Sequence, residues 1–166
     1  MTDNNIIIKI VPVNPQINHP MPSQMTNGAS GYDLFACLPE PVVILPKKGE
    51  LIGIGYALSL PMGYEGQIRP RSGLALKHSV SVLNSPGTID SDYRGEIKVL
   101  LFNFGEDLFT VHNQDRVAQL VINAVPSVVF KKVDSLDETD RGVGGYGHTG
   151  RSLLIGSATK MIRLLE

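Results

Sequence analysis

LIGIGYALSLPMGYEGQIRP, residues 51 to 70, sets the expectation for the fold. Two short runs, 51 to 60 and 64 to 70, are rich in β-branched, aliphatic and aromatic residues, and Pro61 and Gly63 lie between them. Such runs fit a pleated surface, and the Pro and Gly that separate them are turn formers, so the stretch reads as strand, turn, strand. The pattern extends in both directions through 6 to 11, 32 to 37, 42 to 45, 96 to 104, 116 to 122 and SVVF at 127 to 130. Seventeen glycines and eleven prolines fall between these runs rather than in one block, which is the punctuation of a strand-rich chain. The expected class is all-β, a barrel or double-sheet jelly roll. One short helix is expected at SGLALKH (72 to 78), with Ser72 as its cap.

At 166 residues the chain has the length of one domain. Its boundaries read as a β domain over 1 to 130, a polar linker over 131 to 140 with four acids, a glycine-rich arm over 141 to 150 and an extension of unassigned role over 151 to 166. A formal charge of -1 gives no global field toward nucleic acid or a membrane surface, so any anion site must be local. No apolar run reaches the roughly 20 residues needed to span a bilayer. The single cysteine, Cys37, leaves no internal disulfide framework, and MTDNNIIIKI lacks the basic start of a secretory signal, so a cytoplasmic setting is expected.

Two motif matches fail their context, and the histidines form no motif. Gly142, Gly144 and Gly147 spell a dinucleotide fingerprint, but a polar linker stands where the fingerprint needs a strand, and too little sequence follows for its long helix. SATK (157 to 160) matches S-x-x-K without its companion K-T-G. His19, His78, His112 and His148 have no metal-ligand spacing with one another or with Cys37, and read as surface or packing histidines.

Five segments combine small residues and charge beyond what packing demands: ASGYDLFA (29 to 36), RPRSGLALK (69 to 77), NSPGTIDSDYRGEI (84 to 97), RVAQLVI (116 to 122) and RGVGGYGHTG (141 to 150). Arg71 offers a planar fork for phosphate oxygens, Ser72 a hydroxyl, and Gly73 an unobstructed amide. NSPGTIDSDYRGEI reads as a hairpin loop rich in turn formers between the strands SVSVLN and EIKVLLFNF, which exposes backbone donors and acceptors. Asp33 on an apolar strand needs a partner, such as an arginine. Arg116 reads as structural, paired with Asp115 or Asp33. The glycines of the arm let its backbone wrap closely around a ligand.

In this order and spacing the segments resemble the five motifs of the trimeric dUTPases, over about residues 29 to 150. The resemblance implies hydrolysis of dUTP to dUMP and pyrophosphate with Mg2+, by a homotrimer whose sites are shared between chains. It implies Asp90 as the base that activates water, and Arg71, Ser72, Gly73 and Gln119 as phosphate-binding residues. Asn84 takes part in uracil recognition, Tyr93 lies against the deoxyribose, and Ile89 and Gly147 are further substrate-binding positions. Arg141, His148 and Thr149 face the terminal phosphate, Tyr146 stacks on the base, and Asp33 meets the magnesium through water. The family usually has Phe where Tyr146 stands and Ser where His148 stands. A dCTP deaminase of the same fold is disfavoured, because the strand after the hairpin offers Leu100, Leu101 and Phe102 where that chemistry wants a carboxylate. A non-catalytic nucleotide sensor using the same pocket is the other alternative, and the presence of Asp90 argues against it.

Overall fold

The structure is a computed structural model and describes residues 5–148. Its described residues form ten strands and one helix: β1 (Lys9–Pro12), β2 (Tyr32–Phe35), β3 (Val42–Ile44), β4 (Gly49–Ser59), β5 (Tyr64–Arg69), α1 (Ser72–His78), β6 (Val80–Val82), β7 (Gly87–Ile89), β8 (Glu96–Asn103), β9 (Phe109–Val111) and β10 (Arg116–Ala124). Two four-stranded antiparallel sheets run in the orders β1-β4-β8-β6 and β2-β10-β5-β7, and β3 pairs with β9 as a small third sheet. This is the double-sheet, jelly-roll type of architecture expected from the short runs. No helix of the described residues is long and apolar enough to cross a membrane. The chain divides into two compact units, one ending at Ser127 and the other beginning at Val128.

Period-two alternation builds the core of the first unit. Ile97, Val99, Leu101 and Asn103 point inward from β8, and Ile52, Ile54, Tyr56 and Leu58 do so from β4. They meet Leu34, Ile68 and Leu120 from the second sheet and Ile44 and Val111 from the third, so one apolar layer joins all three sheets.

A bulge interrupts the β4–β8 ladder. Gly53 pairs with Lys98, but the next partners are Ala57 and Glu96, so β4 spends four residues where β8 spends two. Inside the bulge Gly55 takes φ 72° and donates its N–H to the Glu96 carboxylate at 3.0 Å. A side chain there would also strike Cys37 Sγ, at 2.8 Å from the position of its Cβ. Glycine is required on both counts.

Several sequence expectations are corrected. Residues 127 to 130 form no strand, and Val129 and Phe130 stand almost fully exposed; β-branched composition makes a strand only where a partner ladder receives it. Ser72 is the first helical residue rather than the cap. Arg71 holds the cap position in an extended conformation, its carbonyl accepts from the Leu74 and Ala75 N–H groups, and no side chain caps α1. The hairpin 84 to 97 is more than a loop: β6 and β8 do pair, but the connection crosses to the other sheet, where β7 pairs with β5.

Asn103 closes the end of β8. It is completely buried, donates from Nδ2 to the carbonyls of Ile44 and Asp107, and accepts the Gly105 N–H at 2.9 Å. Asn103→Ala removes the side-chain partner of three backbone groups, one of them in a buried bond, and is expected to cost about 3 kcal/mol of unfolding free energy, measured by urea denaturation.

Candidate active site

The β2-β10-β5 ladders place three polar residues in one row. Gln119 pairs with Asp33 on one side and Arg69 on the other. Just beyond Arg69 the chain turns through Pro70 into α1, so Arg71 and Ser72 follow at the same end of the sheet. The Asp33 side chain is only 13% exposed and faces two guanidinium groups, Arg116 Nη1 at 3.1 Å from Oδ2 and Arg71 Nε at 3.6 Å from Oδ1. Arg71 also donates from Nη1 to the Arg116 carbonyl at 2.9 Å. Both arginines are thereby held by Asp33 rather than by Asp115, whose carboxylate accepts the His112 N–H instead. Gln119 donates from Nε2 to the Pro70 carbonyl at 2.9 Å, and Gly31 lies directly against its side chain. Ser72 and Gly73 are exposed, and the space beside Gly73 is open. The result is a carboxylate-anchored pair of cations beside a free hydroxyl, an arrangement that suits a polyanion.

A second group lies on the connection from β6 to β8. Asn84 packs over Gly87 at the start of β7, Ile89 ends that strand, and Asp90 follows with its residue exposed. A turn returns the Tyr93 N–H to the Asp90 carbonyl at 3.1 Å, and Arg94 ties the turn by donating to the Ser91 and Tyr93 carbonyls at 2.6 and 2.8 Å. Tyr93 is not a core tyrosine: it is 44% exposed and its hydroxyl donates to the Glu96 carbonyl at 3.0 Å.

Register separates the two groups within one chain. Ile89 pairs with Gly66, whereas Gln119 and Asp33 align with Arg69. Three residues of strand amount to roughly 10 Å, and Asp90 lies one residue farther still from the arginines.

The arm is a series of turns when taken by itself. Gly142 donates to the Thr139 carbonyl at 2.9 Å, Arg141 Nε donates to the Gly144 carbonyl at 2.8 Å, and the His148 ring lies against Gly144. Tyr146, at φ 49°, and its neighbour Gly147 are exposed. Thr149 lies outside the described residues, as does the extension 151 to 166.

Among the described residues no three His, Cys, Asp or Glu side chains are grouped to hold a metal ion. His19 is a packing histidine, buried with Nε2 3.1 Å from the Phe35 carbonyl. Burial pushes the Cys37 thiol up, and the Glu96 charge adds to the effect, which makes it a poor nucleophile near neutral pH. Sequence reasoning missed Glu96 as an organising residue, since its role depends on the β4 bulge.

The dUTPase family model matches residues 18–150. A deoxyuridine 5'-triphosphate nucleotidohydrolase of Chlamydia pneumoniae is 54% identical over 133 residues, covering 80% of this chain and 92% of that one. The protein of the same name from Syntrophotalea carbinolica is 52% identical over 130 residues, covering 78% and 88%. Among solved structures, a Staphylococcus bacteriophage 80alpha dUTPase with dUPNHPP shares the fold at 24% identity and a TM-score of 0.77, covering 87% of this chain and 99% of that one. A mutant dUTPase from phage phi11 of S. aureus, described with a structural Mg(II) ion, shares it at 23% identity and a TM-score of 0.70, covering 80% and 99%.

Asp33→Asn leaves two guanidinium groups facing a neutral amide. It is expected to lower the unfolding free energy by about 1 kcal/mol at low salt, with the loss shrinking as salt rises, because both arginines are partly solvated. Urea titrations at two ionic strengths measure it, and an unchanged midpoint at low salt would mean that the pairs contribute nothing.

Proposed function

The chain belongs to the dUTPase family and hydrolyses dUTP, and we propose that it does so by holding the triphosphate at one end of the β2-β10-β5 sheet while Asp90 activates water at the other group. The observation that carries this reading is the pair of arginines anchored on Asp33 beside Ser72 and Gln119. Arg71 and Gln119 grip the phosphate chain, the Gly73 backbone admits a close approach, and the Ser72 hydroxyl stands near the bridging oxygen that departs. The Asp90 carboxylate takes a proton from water as the water oxygen bonds to the α-phosphorus. The bond from that phosphorus to the bridging oxygen breaks, and its electron pair leaves with pyrophosphate, giving dUMP.

Asn84 and the backbone through Ile89 read the uracil edge, where a cytosine would leave buried polar groups unpaired. The Tyr93 ring lies against the deoxyribose and obstructs a 2'-hydroxyl. Tyr146 stacks on the base, an interaction worth about 1–3 kcal/mol, with Gly147 allowing close backbone approach. Arg141, His148 and Thr149 turn toward the terminal phosphate.

Because Asp90 and Arg71 lie apart in one chain, the site is completed between chains, as in a homotrimer. The donor set fits magnesium only as an ion carried by the triphosphate and met by Asp33 through water, since Asp33 already faces two arginines and no cluster of carboxylates surrounds it among the described residues. When bound there, magnesium would neutralise phosphate charge and orient the α-phosphorus. A deaminase role is disfavoured further because the Glu96 carboxylate is occupied by the Gly55 N–H and by Lys98.

Asp90→Asn is expected to bind dUTP with little change and to release pyrophosphate roughly 10²–10⁴-fold more slowly. Near-normal turnover would remove Asp90 from the role of base.

A further inference from the structure

Gly95 has no conformational reason to be glycine. The described glycines in the left-handed region are Gly55, Gly63, Gly142 and Gly147, and Gly95 is not among them. What requires glycine is a neighbour: a Cβ built on Gly95 would lie 2.6 Å from Cζ and 3.1 Å from Cε2 of Tyr93, and closer still to its hydroxyl oxygen. The ring folds back over residues 94 to 96, and its hydroxyl donates to the Glu96 carbonyl at 3.0 Å. It occupies the volume that any side chain at 95 would fill.

Both ends of this folded-back ring are fixed. Glu96 enters β8 opposite Ala57, and its carboxylate accepts the Gly55 N–H inside the β4 bulge. On the other side the Arg94 guanidinium bonds the Ser91 and Tyr93 carbonyls, which holds the backbone from which the ring springs. Tyr93 nevertheless stays 44% exposed, so part of its surface is free to meet a substrate.

We propose that Gly95 is a positioning residue for sugar discrimination: its bare flank lets the Tyr93 ring lie down against the chain in the posture that obstructs a 2'-hydroxyl. The inference rests on the reading of Tyr93 as the surface that meets the deoxyribose. A methyl group at 95 forces the ring to rotate away, breaks its bond to Glu96 and opens the space beside C2'. Discrimination falls while the phosphate-binding arginines and Asp90 are untouched.

The test compares kcat/KM for dUTP and for UTP, with magnesium, in the full-length protein and in Gly95→Ala, Tyr93→Ala and the double variant. Gly95→Ala and Tyr93→Ala are each expected to narrow the dUTP to UTP ratio by about tenfold or more, and the double variant no further than Tyr93→Ala alone, since both act through one ring. A full ratio in Gly95→Ala beside a narrowed one in Tyr93→Ala overturns the proposal and leaves Tyr93 its role. A full ratio in Tyr93→Ala removes the Tyr93 reading and the proposal with it, and additive losses in the double variant also overturn the proposal. If Gly95→Ala fails to fold, the double variant decides: a folded protein supports the clash with the ring, and an unfolded one shows that glycine serves the backbone.

Discussion

Strand β5 carries a ladder on each side, to β10 and to β7, and a slip of one residue on either side would turn an inward Ile68 or Leu120 toward solvent. That burial locks the register, and the register decides where chemistry can stand. Along one row it aligns Arg69, Gln119 and Asp33; farther along the same strand it aligns Gly66 with Ile89. The separation between the Arg71 group and the Asp90 group thus follows from core packing. No motion of a side chain at Asp90 or Arg71 is needed to explain why the groups are apart, and in the proposed reading a second chain unites them.

Charge placement follows the same logic. Asp33 is nearly buried on β2 and would be costly alone, yet two arginines meet it from β10 and from the cap position of α1. The carboxylate and the Arg116 carbonyl together fix the direction of Arg71, which in the proposed reading lowers the ordering needed on binding. In the other sheet, Glu96 performs a comparable service for the β4 bulge, and through its carbonyl for the Tyr93 ring.

Much of the fold was legible where local pattern and burial agree. The alternation of 96 to 104 and the run 51 to 60 became β8 and β4, and SGLALKH became α1. What escaped was set by long-range pairing. Strands β7 and β9 have only three residues each and carry no period, while SVVF has the composition of a strand without a ladder. For the site, the residue types of Arg71, Ser72, Asp90 and Tyr93 were readable from their segments. Their grouping was not, because the distance between Asp90 and Arg71 depends on the β5 register, and the pairing of Arg116 with Asp33 rather than Asp115 depends on which ladder lies beside β10.

Complementation measures the shared site most directly. Chains carrying Asp90→Asn and chains carrying Arg71→Ala, each inactive alone, are refolded together in equal amounts and assayed for pyrophosphate release from dUTP. Random assembly of cyclic oligomers with sites between chains restores about a quarter of the wild-type activity, because one in four interfaces unites an intact Asp90 with an intact Arg71. A mixture no more active than its separate components would contradict a site shared between chains.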